Sequence, residues 1–307
     1  MTNVAAHAHL EQASRFSDVT DTLKAYVALT KPRIIELLLV TTVPTMFVAS
    51  RHLPSLGLIA LTLVGGTLAA GGANAINMVY DRDIDAVMDR TKNRPLVTGK
   101  MSPAAALVFA LTLELGAFAV LALTVNLLSA VLAVSATAFY VLVYTMWLKR
   151  SSVQNIVIGG AAGAVPVLVG WSSVTDRLSV APFILFGVIF LWTPPHFWAL
   201  AVRYREDYAA ANIPMLPVVA DMTKVAREII AYAVATALLS LTFGPVAHLN
   251  WGYDISAFVL GALFCSKAIA LGRHPDAKHA MRLFGYSISY LTMLFMAMGI
   301  DAIVQHP

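Results

Sequence analysis

Cysteine is nearly absent: Cys265 is the only one in 307 residues, which excludes a disulfide framework and any Cys-based metal centre. Charge is scarce as well. Asp, Glu, Lys and Arg together make up 12% of the chain, about half the ~25% usual in soluble domains. Residues 1–20 have neither the apolar core and small-residue cleavage site of a secretory signal nor the Arg-rich, acid-poor character of an organelle transit peptide. Hydrophobic residues make up 59% and mean hydropathy is +0.75. The charge is confined to short clusters, and the apolar runs between them approach the ~20 residues that cross a bilayer as a helix. The expected fold class is an all-α polytopic membrane protein.

Nine apolar segments are expected to span, at about 34–50, 57–79, 104–124, 127–147, 153–171, 180–200, 229–247, 254–272 and 283–304. With the N-terminus cytoplasmic, the inside segments hold 19 of the 21 Lys and Arg, and only Arg51 and Arg177 fall outside. A wrong span count would scramble so one-sided a distribution. The expected topology is N-terminus in and C-terminus out, as an integral protein of a bacterial inner membrane. Residues 1–25 are read as a flexible cytoplasmic tail and 26–305 as a single transmembrane domain. The net charge of +4 follows from this topology and calls for no nucleic-acid partner. Two long charged loops, about 80–103 and 201–228, lie on the same cytoplasmic side, where function tends to sit.

The first loop puts Asp81, Asp83, Asp85 and Asp89, four of the 17 carboxylates, into nine residues. Asn77, Asp81, Asp85 and Asp89 recur every fourth residue and would form one stripe on a helix, with Asp83 pointing roughly the other way. Like charges at this spacing repel unless a cation sits between them. Oxygen ligands of this kind suit Mg²⁺, which uses one or two carboxylates plus substrate phosphates. The stripe alone leaves two readings, half of a metal–diphosphate site or a solvated helix end capping a span. In the second loop Arg203 and Asp207 are spaced i, i+4 and would continue the sixth span. If the bundle has two similar halves, Asp207 would face the first carboxylates across a cavity, as a catalytic and metal-binding set of Asn77, Asp81, Asp85 and Asp207. Arg33, Arg90, Lys92, Arg94, Lys149, Arg150 and Arg203 would supply diphosphate-binding cations, although any one of them could equally snorkel to lipid.

His196 follows Pro194-Pro195, which would break the sixth helix. Its imidazole could ligate iron or bond the carbonyls that the prolines free. Glu36 and Glu114 are the carboxylates well inside spans; Glu36 could pair with Arg33, and Glu114 has no evident partner. Gly65, Gly66, Gly71 and Gly72, and likewise Gly159, Gly160 and Gly163, read as helix-packing positions rather than phosphate binders.

The spacing Asn77-x3-Asp81-x3-Asp85 at the end of a second span resembles the first aspartate-rich motif of the UbiA superfamily of intramembrane prenyltransferases. Longer strings resemble its haem-prenylating branch: Thr30-Lys-Pro-Arg33, Tyr80-Asp-Arg-Asp-Ile-Asp85, Met88-Asp-Arg-Thr-Lys-Asn-Arg-Pro95 and Tyr144-Thr-Met-Trp-Leu-Lys-Arg150. So do Asn155-Ile-Val-Ile-Gly-Gly160, Pro194-Pro-His-Phe-Trp-Ala-Leu200 and Asp207-Tyr-x4-Ile-Pro-Met-Leu-Pro217. The likeness runs from about residue 25 to 300. It implies a nine-helix bundle around a central cavity, a farnesyl diphosphate donor, a haem B acceptor with His196 as the candidate ligand of its iron, Mg²⁺ dependence, and haem A synthase or haem-copper oxidase assembly proteins as partners downstream. Two departures stand out. Arg203 occupies the first position of a second Asp-x3-Asp that many superfamily members carry, and Asn212 stands where Gly is expected, at a position Asn can serve with positive φ. A UbiA-type enzyme with a phenolic acceptor and a secondary transporter are the alternatives.

Overall fold

The structure, a computed structural model, describes residues 19–50 and 52–305. The side chains of Arg33, Ile34, Glu36, Leu37 and Leu38 fall outside the described set, and with them the expected roles of Arg33 and Glu36. The described residues form helices and connecting turns, with no strand among them. In chain order these are α1 (19–30), α2 (Pro32–Ser50), α3 (Leu56–Tyr80), α4 (Arg82–Val87), α5 (Pro103–Thr124), α6 (Leu127–Ser151) and α7 (Asn155–Thr175). Then come α8 (Val180–Arg203), α9 (Arg205–Ala210), α10 (Leu216–Val219), α11 (Met222–Ala247), α12 (Trp251–Arg273) and α13 (Ala277–Gln305). Eight of them, α3, α5 to α8 and α11 to α13, are long and apolar enough to cross a membrane, and α2 contributes a shorter apolar stretch, Leu39–Ser50. These nine match the nine expected segments.

Local chemistry starts several of the helices. Ser55, Ser102, Asn126 and Asp221 each accept a backbone N–H from the first turn of α3, α5, α6 and α11, satisfying donors a helix start leaves open. Small residues then let backbones approach, as in membrane bundles generally. A Cβ on Gly72 of α3 would lie 2.9 Å from the Ala110 carbonyl of α5, one on Gly160 of α7 would lie 2.9 Å from Thr193 Cβ of α8, and one on Gly170 would lie 2.8 Å from the Thr42 carbonyl of α2. Gly66 and Gly163 face open space instead. The largest core lies among α7, α8 and α11 to α13, around Trp192, Trp198, Phe243, Phe264 and Tyr290. Glu114 finds its partner across α5 and α6, accepting from Thr137 Oγ1 at 3.2 Å.

Four expectations change. The helix of the first acidic stretch ends at Tyr80, turns at Asp81 and resumes as α4 only to Val87, so Asp89 leaves the stripe and pairs with Lys92 at 2.7 Å. Repulsion along a continuous stripe favours such a break. Tyr204 likewise separates α8 from α9, so Arg203 and Asp207 do not share one helix. The sixth span is not broken by its prolines, because α8 runs through both Pro194 and Pro195. Lastly, helix begins by residue 19, before the tail boundary set at 25, and α1 buries Ala25 and Leu29 against Ala75, Met78 and Ala106. The expected tail up to residue 18 lies outside the described residues.

Candidate active site

The acidic end of the bundle is built from α1, α3, α4, α6 and the two long loops. Asn77, in the last turn of α3, is its hub. Its Oδ1 accepts from Lys31 Nζ at 2.7 Å, while its Nδ2 donates to Asp81 Oδ2 at 2.8 Å and to Thr145 Oγ1 of α6 at 3.0 Å. One carboxamide thus spends acceptor and donors on three elements, which leaves no freedom to flip. Asp81 is fully buried, and its Oδ2 also binds Lys149 Nζ from the end of α6. Asp85, buried too, accepts from Arg94 Nη1 at 2.6 Å. Arg150 grips Asp83 through two bonds of 2.7 Å, donates to the Tyr80 carbonyl at 3.2 Å, and holds one nitrogen 3.7 Å from Asp81 Oδ1. Asp83, as its register implies, faces outward and is exposed.

Lys31 was not foreseen as a site residue. It takes φ 52°, in the left-handed region, immediately before Pro32, a conformation costly for lysine and consistent with strain held at a functional position. Burial, reinforced by the neighbouring Arg94 and Lys149, pushes its ammonium down to about 7. The Arg150 hydrogen bonds likewise hold the Asp83 carboxyl down, at about 2.

The second loop meets the first at Arg90, whose backbone N–H donates to Asp207 Oδ2 at 3.4 Å. The Arg90 side chain lies over the Tyr204 ring, 5.9 Å from its centroid, and burial raises the neighbouring Tyr208 phenol above its usual range. Asn212 adopts φ 53°, the conformation expected of it. Arg203 is exposed beside the Tyr204 ring, and Lys92 is exposed with Asp89 as its partner. Thus Asn77, Asp81, Asp85, Arg94, Lys149 and Arg150 come together. Asp207 and Arg90 form the joint between the loops, and Lys92 and Arg203 stay on the rim. Tyr140 and Tyr144 stack on α6, 5.4 Å between centroids, on the helix that supplies Thr145 and Lys149. No periodicity marks them, or Thr145, as site residues.

Among the described residues no three His, Cys, Asp or Glu side chains converge tightly enough to hold a metal ion by themselves. The cluster nonetheless fits Mg²⁺ with substrate phosphates completing its shell. Asp81 Oδ1 is buried without a hydrogen-bond partner, with an Arg150 nitrogen 3.7 Å away as its ion-pair neighbour, which leaves it a coordination position to offer.

Deeper in the bundle, His196 is buried on α8. Its ring stacks between Trp192 (4.3 Å between centroids) and Phe284 (4.5 Å), and Nδ1 lies 2.6 Å from Ser287 Oγ of α13. Its partner is this hydroxyl, not a carbonyl freed by the prolines.

The chain is similar to known proteins over most of its length. The model of the UbiA prenyltransferase family matches residues 38–298. A protoheme IX farnesyltransferase of Frankia alni is 54% identical over 92% of this chain and 99% of its own length. One from Streptomyces coelicolor is 51% identical over 92% of each chain. Among solved structures, a digeranylgeranylglyceryl phosphate synthase has the same fold at TM-score 0.76 and 19% identity, covering 92% of this chain and 99% of that one. So does a UbiA homologue from Archaeoglobus fulgidus bound to DMAPP and Mg²⁺, at TM-score 0.66 and 18% identity over 91% of this chain and 99% of that one.

Proposed function

The chain belongs to the UbiA prenyltransferase family, and from that premise we propose that it transfers a farnesyl group from farnesyl diphosphate to a vinyl group of haem B. The observation that carries this reading is identity above 50% to protoheme IX farnesyltransferases over nearly the whole chain. It is an integral membrane enzyme with its chemistry at the acidic end of the bundle. The distribution of 19 of 21 Lys and Arg supports placing that end in the cytoplasm and the C-terminus in the periplasm.

In the reaction the bond between the farnesyl C1 and the diphosphate oxygen breaks, leaving an allylic cation. The vinyl π electrons attack it, and water adds to the new cation and gives up a proton, leaving a hydroxyethylfarnesyl substituent. Charge builds on the leaving oxygens, so donors fixed there in advance stabilise the transition state more than the ground state. Lys31, Arg94 and Lys149, already gathered around Asn77, Asp81 and Asp85, are those donors. Asn77, Asp81 and Asp85 would hold Mg²⁺, which when bound neutralises diphosphate charge. Asp207 and Arg90 hold the second loop over the first, limiting access of water to the first cation. His196, seven residues before Arg203 and so ~10 Å deeper along α8, ligates the haem iron through Nε2. The product then passes to haem A synthase or to haem-copper oxidase assembly proteins.

A secondary transporter would place its ionisable groups near the bilayer midplane, whereas these carboxylates sit at one end. The test offers purified protein farnesyl diphosphate with haem B against a polyprenyl diphosphate with 4-hydroxybenzoate. Product is expected only from the first pair. Product from the second alone refutes the haem assignment.

A further inference from the structure

The contact between α8 and α13 contains a hydrogen-bond chain whose proton positions follow from its geometry. His196 Nδ1 lies 2.6 Å from Ser287 Oγ, and that same Oγ lies 2.6 Å from the Phe284 carbonyl oxygen. Two oxygens this close need a proton between them, and a serine hydroxyl has only one. Ser287 therefore donates to Phe284 and can only accept from His196. The imidazole must carry its proton on Nδ1, and Nε2 is left with a lone pair.

The rest of the surroundings hold this arrangement in place. Trp192 Nε1 donates to the Ser287 carbonyl at 2.8 Å, tying α8 to α13 at that residue. Trp192 and Phe284 each stack with the ring, at interplanar angles of 19° and 25°, and Phe197 meets it edge-on at 90°. The side chain is 7% exposed, and among the described residues no donor reaches Nε2.

We propose that Ser287 is a positioning residue for the haem acceptor: by accepting Nδ1–H it fixes His196 in one tautomer and one orientation, with Nε2 open to iron. This inference rests on the reading of His196 as the iron ligand. Iron-bound imidazoles depend on such a partner at the other nitrogen, and its loss typically lowers affinity about 10- to 100-fold.

The experiment titrates haem B into the purified full chain and follows the Soret band and the ferric EPR spectrum. It also measures KM separately for haem and for farnesyl diphosphate. Ser287→Ala is expected to weaken haem binding about 10- to 100-fold and raise the haem KM, leaving the farnesyl diphosphate KM unchanged. Ser287→Thr, which keeps the hydroxyl, restores both. His196→Ala is expected to lose the imidazole signature and regain it with added imidazole. Wild-type haem affinity in Ser287→Ala, while His196→Ala loses its signature, overturns the tautomer hold alone. An unchanged spectrum in His196→Ala overturns the ligand reading beneath it, and farnesyl transfer, measured by product mass, stands or falls separately. Equal weakening of both substrates in Ser287→Ala, or no rescue by Ser287→Thr, marks mere packing and also overturns the proposal.

Discussion

Replacing Lys149 with methionine keeps the apolar stem and removes the ammonium. Asp81 has no solvent exposure, and Lys149 is its ion-pair partner, with Arg150 3.7 Å away and a third exposed. Removing one partner of a buried pair costs about 3–5 kcal/mol, because the remaining charge is stranded. Arg150 offsets part of that, so the expected loss lies at the low end, about 3 kcal/mol. Adding Asp81→Asn to Lys149→Met removes the stranded charge and should recover most of the loss, while farnesyl transfer stays abolished in both. Unfolding free energies by titration with SDS, for wild type, both single variants and the double variant, complete the cycle. A loss below 1 kcal/mol for Lys149→Met, or no recovery in the double variant, would refute the reasoning that a desolvated ion pair holds this site together.

Three further outcomes follow from the same geometry. Lys31 has a folded pKa lowered to about 7, so between there and its ordinary value of 10.5 the unfolded chain binds more protons and stability rises with pH. The cost of charged Lys31 is present in full below pH 7, and Lys31→Met should flatten the rise seen in denaturation series from pH 7 to 10. Gly160→Val should push α7 away from Thr193 of α8, costing about 1–3 kcal/mol as overpacking does and raising the KM for haem; an unchanged melting curve would contradict the close approach. At the opposite end of the bundle, Asp301 accepts from the Asn250 and Tyr253 backbone N–H groups at 2.9 and 3.3 Å. Asp301→Ala should cost about 1 kcal/mol as a lost helix cap and leave turnover per folded molecule unchanged.

The helical spans were legible because two independent signals, apolar run length and the placement of Lys and Arg, agree on them. The motif residues were legible wherever chemistry and local spacing coincide, as at Asn77, Asp81 and Asp85. Partners distant in sequence were not. Lys31 joins Asn77 across 46 residues and His196 meets Ser287 across 91, and no periodicity encodes either meeting. The acidic stripe misled because its i, i+4 spacing presumes a continuous helix, whereas the chain turns at Asp81 and sends Asp89 to Lys92. The Pro194-Pro195 pair misled for a related reason: in a packed bundle, tertiary contacts keep α8 continuous through residues that would break an isolated helix.

The most direct measurement is the mass of haem extracted from membranes carrying either the wild-type chain or Asp81→Asn, supplied with haem B, farnesyl diphosphate and Mg²⁺. The account predicts haem heavier by one farnesyl group plus water with the wild type, and unmodified haem with a folded Asp81→Asn protein. The same heavier haem from Asp81→Asn, at the wild-type rate, would contradict it.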